Sequence, residues 1–195
     1  MQIKNTRENY GVIAKCFHWL TALLILGSYV TVYYRHWFTE EETPENWNAL
    51  QLHLSFGISI GVIVLLRVLW RSMNTVPDQE PGTAFQQNAA RVGHYILYAL
   101  IIIMPITGYL GTGAATDYFF MFEITKFSDT TFSQVLVEKI FATNFEEFER
   151  VLDFIHKELL GELILWILIL GHIGMALYHH YVKQDRTLKK MTSGS

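Results

Sequence analysis

Residues 159–182 read LLGELILWILILGHIGMALYHHYV, and this stretch decides the fold. It is predominantly apolar and longer than the about 20 helical residues that cross the hydrocarbon core of a bilayer. Tyrosines and histidines gather at its carboxyl end, which is typical of a helix that ends at a membrane interface. The stretch therefore predicts a transmembrane helix.

Three more apolar stretches of similar length occur at residues 11–34, 50–70 and 92–113, and the whole chain is 51% hydrophobic and 17% charged. We therefore predict one all-α domain, residues 1–195, in which four transmembrane helices form an integral membrane bundle. We expect the connection 114–155, on the outer face, to be partly helical because apolar residues recur in it at helical spacing. A net charge of −3 gives no electrostatic reason to expect nucleic acid as a partner.

Lysine and arginine are divided unevenly between the two ends of the predicted helices. Ten of the fifteen lie at the N-terminus, in the second loop or at the C-terminus: Lys4, Arg7, Lys15, Arg67, Arg71, Arg91, Lys183, Arg186, Lys189 and Lys190. The other two loops carry most of the acidic residues. By the positive-inside rule, this distribution places both termini in the cytoplasm, and an even number of spans agrees with it.

Four histidines lie within or beside the predicted spans, where ionisable side chains are costly and usually functional. His18 and His172 lie toward the cytoplasmic side, whereas His53 and His156 lie toward the outer side. Two histidines at each of two depths is the arrangement that two bis-histidine haems need. We therefore predict two haems b between the helices, each passing single electrons.

The spacing of His156 and His172 is difficult for this pairing. Their separation of sixteen residues spans about 24 Å of helix, which suits two haems stacked across a bilayer. It also turns the helix through about 1600°, so that the two side chains lie nearly opposite each other. An irregular first turn or a π-bulge would bring them to one face. His36 is the alternative outer ligand, because it follows His18 by about five full turns and shares its face.

Three residues near the cytoplasmic ends of spans two and three are further candidates for cofactor binding. Arg67 and Arg71 lie one turn apart, and their charge and fork geometry suit haem propionates or lipid phosphates. His94 opens the third span, where it is placed to hydrogen-bond a haem propionate or a quinone, or to lie at the interface.

These residues resemble those of the bacterial cytochrome b561 family, which is related to the cytochrome b subunits of hydrogenases and formate dehydrogenases. The features that carry the likeness are Phe17-His18-Trp19, His53 with Gly57 and Arg67, Gly93-His94-Tyr95, Pro105 with Gly108, and the ending from Gly171-His172 through Ala176-Leu177-Tyr178-His179-His180-Tyr181 to Lys183-Gln184-Asp185, Leu188 and Met191. The carboxyl-terminal stretch from Gly171 to Met191 is the feature most specific to this family. The resemblance covers most of the chain outside 114–155. It implies that His18 and His172 bind the inner haem and that His53 and His156 bind the outer haem.

The resemblance also implies a bacterial inner membrane protein that exchanges electrons with ubiquinone. Some family members are similar to superoxide oxidases, which pass an electron from superoxide at the outer face to quinone. The outer loops of this chain are acidic, whereas an anionic substrate is steered by a basic surface. Superoxide is therefore one candidate donor among others.

Three functions are compatible with these residues. The first is a dihaem oxidoreductase that passes single electrons between an outer-face donor, such as superoxide, and the ubiquinone pool. The second is a haem-bearing membrane anchor subunit that relays electrons for a soluble redox partner protein. The third is a four-helix transporter or metal-binding protein without haem, in which outer acids and histidines hold divalent metals. Membrane lipid is a partner in each case.

Overall fold

Four long helices dominate the computed structural model, which describes residues 2–192. They are α1 (Val12–Phe38), α2 (Pro44–Ser72), α3 (Ala84–Leu110) and α5 (Phe145–Lys183), and the short helices are α4 (Thr131–Ser133) and α6 (Thr187–Met191). Each of the four long helices is long and apolar enough to cross a membrane. The predicted helical membrane bundle is confirmed. The first residue and the last three residues of the predicted domain lie outside the described part of the chain.

The helices begin earlier than the predicted spans. The second, third and fourth spans were expected to begin at residues 50, 92 and 159, whereas α2, α3 and α5 begin at Pro44, Ala84 and Phe145. The connection 114–155 was expected to be partly helical, and its residues from Phe145 onward form the first turns of α5. The segment between α3 and α5 is 111–144, and we refer to it as the connector.

Polar caps explain these early starts, since a hydropathy pattern does not register them. The side chain of Thr43 accepts a hydrogen bond from a first-turn amide of α2, and Pro44 occupies that turn. Thr83 and Gln86 form a reciprocal capping box at the start of α3. Asn144 caps the start of α5 in the same way as Thr43 caps α2.

The helices pack closely through small and branched side chains, as membrane helices do where lipid is as apolar as the core. A Cβ built on Gly61 of α2 would lie 3.4 Å from the ring of Pro105 in α3, so a small residue suits this contact. Ile60, Val64 and Ile101 form a buried cluster beside it. Large apolar side chains cover the outward faces, among them Leu23, Leu26, Leu65, Leu163, Ile167 and Leu170. These outward faces are suited to lipid.

The two ends of the bundle differ in construction. We call the end that holds residues 2–11, 73–83 and 184–192 the termini side, and the opposite end, with residues 39–43 and the connector, the connector side. On the termini side, the segments are tied together by hydrogen bonds. The indole nitrogen of Trp19 donates to the carbonyl of Met191 at 2.9 Å.

A half-buried ion pair also joins segments of the termini side. Lys190 Nζ lies 2.5 Å from a carboxylate oxygen of Glu80 and donates to the carbonyl of Asp78 at 2.8 Å. Both side chains of the pair are largely shielded from solvent. The carboxyl-terminal segment is thus fastened to the loop between α2 and α3.

The connector contains the only strands among residues 2–192. Strands β1 (Thr116–Tyr118) and β2 (Phe122–Ile124) form an antiparallel hairpin in which Thr116 pairs with Ile124. A 3-10 turn and α4 follow, and α4 continues as a π-helical segment, Gln134–Ile140. Phe127 is 1% exposed and forms the centre of an aromatic cluster with Phe132, Phe145 and Phe148. The all-α prediction did not include the hairpin.

Candidate functional site

His53 of α2 and His156 of α5 face each other inside the bundle on its connector side. Their ring centroids are 6.2 Å apart, and the ring planes meet at 80°. Two imidazoles that bind one metal ion from opposite sides have centroids about 6 Å apart, because each metal–nitrogen bond is about 2 Å. The pair therefore has the separation expected of two axial ligands to one iron.

Hydrogen bonds fix both rings through the same nitrogen. Nδ1 of His53 donates to the Ser28 carbonyl at 3.1 Å, and Nδ1 of His156 donates to the Met104 carbonyl at 3.0 Å. The hydroxyls of Ser28 and Thr107 lie 3.0 and 3.2 Å from the same two nitrogens. A carbonyl oxygen can only accept, so the proton is on Nδ1 and the Nε2 lone pair is free to bind a metal.

His36 lies away from this pair. It is eight residues beyond Ser28 on α1, which is about 12 Å along the helix, and its side chain is exposed. Since Ser28 is the residue of α1 that contacts His53, the structure pairs His53 with His156 rather than with His36.

A π-helical segment in α5 allows His156 and His172 to reach the same interior. Residues Ile155–Ile164 form π-helix, and the amide of Leu165 bonds to the carbonyl of Leu160. A π-helix has more residues per turn than an α-helix and so rotates less at each residue. The accumulated rotation between the two histidines is thereby changed, which removes the angular difficulty that a regular helix presents.

Gly161 lies in the middle of this π-helical segment. A Cβ at this position would lie 2.7 Å from the carbonyl oxygen of His156, a distance too short for any larger residue without movement of the backbone. The carbonyl of Gly161 accepts a hydrogen bond from the Tyr29 hydroxyl at 2.7 Å. α1 therefore supports the segment that orients His156.

A second group of histidines lies on the termini side. The ring of His172 is 6.1 Å from His18 of α1 and 5.8 Å from His94 of α3, measured between centroids. His18 and His172 are half-buried, whereas His94 is exposed. The distance between His18 and His172 nearly equals that of the pair on the connector side.

The hydrogen bonding of His18 differs from that of the other histidines. Arg67 donates to its Nδ1 at 3.0 Å, and a guanidinium can only donate, so the neutral ring carries its proton on Nε2. Binding a metal through Nε2 would require Arg67 to leave Nδ1 and the ring to adopt its other tautomer. His94 donates from Nδ1 to the carbonyl of Ala90 at 2.7 Å, which leaves its Nε2 free.

Arg67 and Arg71 both lie on the termini side against Tyr98 of α3. Their guanidinium carbons are 5.1 and 5.4 Å from the centroid of that ring, which is the range of cation–π contacts. The two charges therefore lie side by side, and Arg67 also contacts His18; their binding of an anionic group stays a prediction.

The fit of a haem to the connector-side pair has a further test in Gly57, one turn after His53. A Cβ built on this glycine would meet no atom within 4 Å, so the space beside the His53 ring is open. Ring separation, free Nε2 atoms and open space agree with a bound haem there. Among residues 2–192, no cluster of three or more His, Cys, Asp or Glu side chains is placed to hold a metal ion.

His179 and Asp185 form a separate pair where α5 ends. Nδ1 of His179 lies 2.5 Å from a carboxylate oxygen of Asp185, and the amide of Thr187 donates to the other oxygen at 2.9 Å. Burial raises the pKa of Asp185, but the hydrogen bonds from His179 and Thr187 outweigh it and hold the pKa below its usual value. The ionised carboxylate therefore stabilises the turn after α5.

The residues that orient the histidines were not among the predicted site residues. Ser28, Met104 and Gly161 act through main-chain carbonyls or through the lack of a side chain, and neither property distinguishes them in the sequence. The sequence gives a weak indication that Thr107 belongs to the site, since a polar residue in an apolar span is uncommon.

Comparison with known proteins gives consistent results over nearly the whole chain. Residues 9–194 match the family model described as prokaryotic cytochrome b561. The chain is 32% identical to cytochrome b561 homolog 2 of Escherichia coli K12, an alignment that covers 100% of this chain and 97% of that protein. It is 25% identical to cytochrome b561 homolog 1 of the same strain, over 89% and 91% of the two chains. It is 26% identical to the probable superoxide oxidase CybB of Yersinia pestis, over 94% and 96%.

Proposed function

The chain belongs to the prokaryotic cytochrome b561 family of b-type membrane cytochromes, and on that premise we propose that it holds two haems b and passes single electrons between a donor on the connector side and the ubiquinone pool. The observation that carries the proposal is the presence of two histidine pairs, one toward each side of the bundle, that both include a histidine of α5. When bound, each haem iron supplies one-electron redox chemistry.

The ligands in this proposal are His53 with His156 on the connector side and His18 with His172 on the termini side. Hydrogen bonds from Nδ1 to main-chain carbonyls hold the first pair in orientation and make each imidazole a stronger donor to the iron. On the termini side, Arg67 is close enough to His18 to pair with an anionic propionate once it leaves the ring.

The orientation in the membrane follows from charge. The termini side holds ten of the fifteen lysines and arginines, which supports a cytoplasmic location for both termini in the inner membrane of a bacterium. The connector would then face outward, and the outer donor would meet the His53–His156 pair first. Electrons would leave on the cytoplasmic side, where protons for the reduction of quinone are available.

The proposed quinone contacts are on the termini side. His94 is exposed and has a free Nε2, and Arg71 lies near it against Tyr98. With its proton on Nδ1, the neutral imidazole can accept a hydrogen bond from a quinol hydroxyl through Nε2, and once protonated there it can donate to a quinone carbonyl and supply a proton to it. His94 and Arg71 are therefore proposed to bind the quinone head group.

Ubiquinol tests the proposed acceptor directly. A short-chain ubiquinol is added without oxygen to the oxidised protein in detergent, and the haem absorbance is followed. We expect reduction of both haems in the wild type and a much slower reduction in His94→Ala with unchanged haem content. Phe85→Ala, an exposed position earlier in α3, is the matched control. Failure of ubiquinol to reduce the wild type would contradict the proposal.

Superoxide is the proposed donor, supported by the name of the relative in Yersinia pestis. The surface next to His156 has a cavity of about 520 Å³ with more acids than bases, lined by Glu146, Glu149, Arg150, Asp153, Phe154, Lys157 and Glu158. Because this surface repels an anion, the rate of haem reduction by superoxide should rise with ionic strength. A rate that falls with added salt would contradict steering by this surface.

A membrane anchor subunit is the second candidate. The connector exposes large apolar side chains at Phe132, Ile140 and Phe141, which would suit a soluble redox partner. Co-purification of a soluble redox protein from native membranes would favour this function. An isolated chain that reduces ubiquinone with superoxide as its donor would favour the first.

A further inference from the structure

The connector hairpin, β1–β2, lies against a polar row on α2. Gln51 and Ser55 are 1% and 0% exposed, and Ser59 follows them one turn later. These residues lie within the apolar helix α2, where an unsatisfied polar group is costly. Their partners lie in the hairpin, in their own helix, or at Ala115, which directly precedes the hairpin and whose carbonyl accepts from the Gln51 side chain at 3.2 Å.

Hydrogen bonds join the row to the hairpin at successive depths. The side chain of Gln51 accepts from the amide of Asp117 at 2.6 Å, and Ser55 accepts from the amide of Phe119 at 2.9 Å. The hydroxyls of Ser59 and Tyr118 are 2.9 Å apart. From Gln51 to Ser59 is eight residues, or about 12 Å along α2. The main chain of the hairpin therefore runs alongside α2 from the level of Gln51 to that of Ser55, and the Tyr118 side chain extends to Ser59.

The hairpin meets the face of α2 that is opposite to the haem site. Gln51 and Ser55 are two residues on either side of His53, which is about 200° around the helix. At the tip, Phe119 also packs edge-on against Phe56, which lies about 60° around the helix from His53, with ring centroids 5.4 Å apart. The polar contacts of the hairpin are thus on the side of α2 away from His53, and the Phe119 ring extends toward the His53 side.

The turn at its tip is unusual for a water-facing hairpin. Phe119 and Phe120 both have positive φ, at 47° and 59°, which matches a type I′ turn. Such turns at a protein surface favour Asn-Gly, because a side chain in this conformation is strained. Here two phenylalanines occupy it, and the tip exposes Phe120, Met121 and Phe122 at 51%, 70% and 56%.

The amides of the turn are satisfied within the protein. Phe119 donates to Ser55, while Phe120 and Met121 donate to the carbonyls of Asp117 and Tyr118 at 3.3 and 3.0 Å. Irregular backbone is tolerated at membrane depth only where its polar groups are paired. The charged residues Asp117 and Glu123 pair across the strands nearer the hairpin base, at the level of Gln51.

We infer that β1–β2 is a re-entrant hairpin whose tip, Phe120–Phe122, inserts into the acyl chains of the bilayer beside α2. The exposed apolar tip continues the lipid-facing surface of α2, on which Val62 is 54% exposed. The hydrocarbon of the bilayer is therefore the partner of this surface. The hairpin anchors the connector to the membrane and packs against α2 through Gln51, Ser55 and Ser59.

Spin labels in proteoliposomes test this insertion. Cys16 is the only cysteine and is exposed, so labels are attached in a Cys16→Ser background to Met121→Cys and, separately, Phe122→Cys. Val62→Cys is the lipid-facing control, and Glu41→Cys, in the loop before α2, is the water-facing control. Haem absorbance verifies that each variant is folded.

The readout is the ratio of collision rates with oxygen, which concentrates in acyl chains, and with a nickel chelate, which stays in water. We expect the ratio at 121 and 122 to match that at 62 and to exceed that at 41 several-fold. Ratios at both tip positions closer to that at 41 would overturn the inference and show that the tip faces water or a soluble partner.

Discussion

His156 and His172 are sixteen residues apart on α5, yet each faces a histidine of another helix at nearly the same distance, 6.2 and 6.1 Å. A regular α-helix would set the two side chains nearly opposite each other. The π-helical segment Ile155–Ile164, which contains His156, rotates less at each residue and so reduces the angle between the two side chains. The proposed outer haem site therefore depends on the form of one helix as much as on the identity of its ligands.

Gly161→Ala tests this dependence. The new Cβ would lie 2.7 Å from the His156 carbonyl oxygen, so the π-helical segment must shift and carry His156 away from His53. We expect haem content to fall from two per chain toward one, with the remaining haem unaffected, as measured by pyridine haemochrome assay and redox difference spectra. Leu163→Ala, at an exposed position in the same segment, should retain both haems. Full haem content in Gly161→Ala would contradict the role of the segment.

Thr107→Val tests the orientation of His156. The hydroxyl of Thr107 lies 3.2 Å from Nδ1 of His156, and its loss should make the imidazole a weaker donor to the iron. The potential of one haem should rise by up to about 40 mV, which is one hydrogen bond of about 1 kcal/mol converted for one electron. Redox titration measures it. Thr39→Val is the control, because the Thr39 hydroxyl donates to the carbonyl of Arg35, to which no histidine bonds. Equal shifts in both variants would contradict the assignment.

His18→Ala and His94→Ala distinguish the two neighbours of His172. Their rings lie 6.1 and 5.8 Å from it, so distance alone does not separate them. We expect His18→Ala to lose one haem, because His18 is half-buried between helices, and His94→Ala to retain both, because His94 is exposed at the edge. Haem quantified per chain gives the answer. The opposite result would move the ligand to α3.

Asp185→Asn tests the fastening of the carboxyl-terminal segment. The pKa of Asp185 in the folded protein is below its unfolded value of 3.8, so the ionised carboxylate stabilises the protein above pH 3.8. This stability is lost as the pH falls through the folded pKa. At neutral pH we expect the variant to melt about 2–4 °C lower, for a loss of about 1 kcal/mol. The difference in melting temperature between the wild type and Asp185→Asn should vanish in strong acid, where Asp185 is protonated. A difference that persists in strong acid would contradict stabilisation by the ionised carboxylate.

Much of the fold follows from the sequence, because hydropathy and charge specify spans directly. The four helices were predicted from their apolar stretches, which locate spans and not helix ends, and the polar turns that follow Thr43 and Thr83 leave no hydropathy signal. The hairpin was missed for a related reason. Its strands are only three residues long, and its position depends on hydrogen bonds to Gln51 and Ser55 that no periodicity reveals.

The candidate site was predictable in part. The four histidines stand out because ionisable residues are rare in apolar spans, and their depths suggest the pairs. The acceptors that orient them are carbonyls of Ser28 and Met104, and since every residue has a carbonyl, no sequence feature marks these two. A π-bulge was one of the two irregularities expected to bring His156 and His172 to the same face of the helix. Its presence could not be predicted, because the hydrogen bonding of a π-helix, from residue i to residue i+5, leaves no recognisable pattern in the sequence.

The most direct test of the account is the haem content of the wild type, His156→Ala and His36→Ala, purified in detergent and examined by reduced-minus-oxidised spectra. We expect two haems in the wild type and in His36→Ala, and one in His156→Ala. Loss of a haem only in His36→Ala would move the outer ligand to α1, and a wild type without two haems would contradict the proposed dihaem electron transfer.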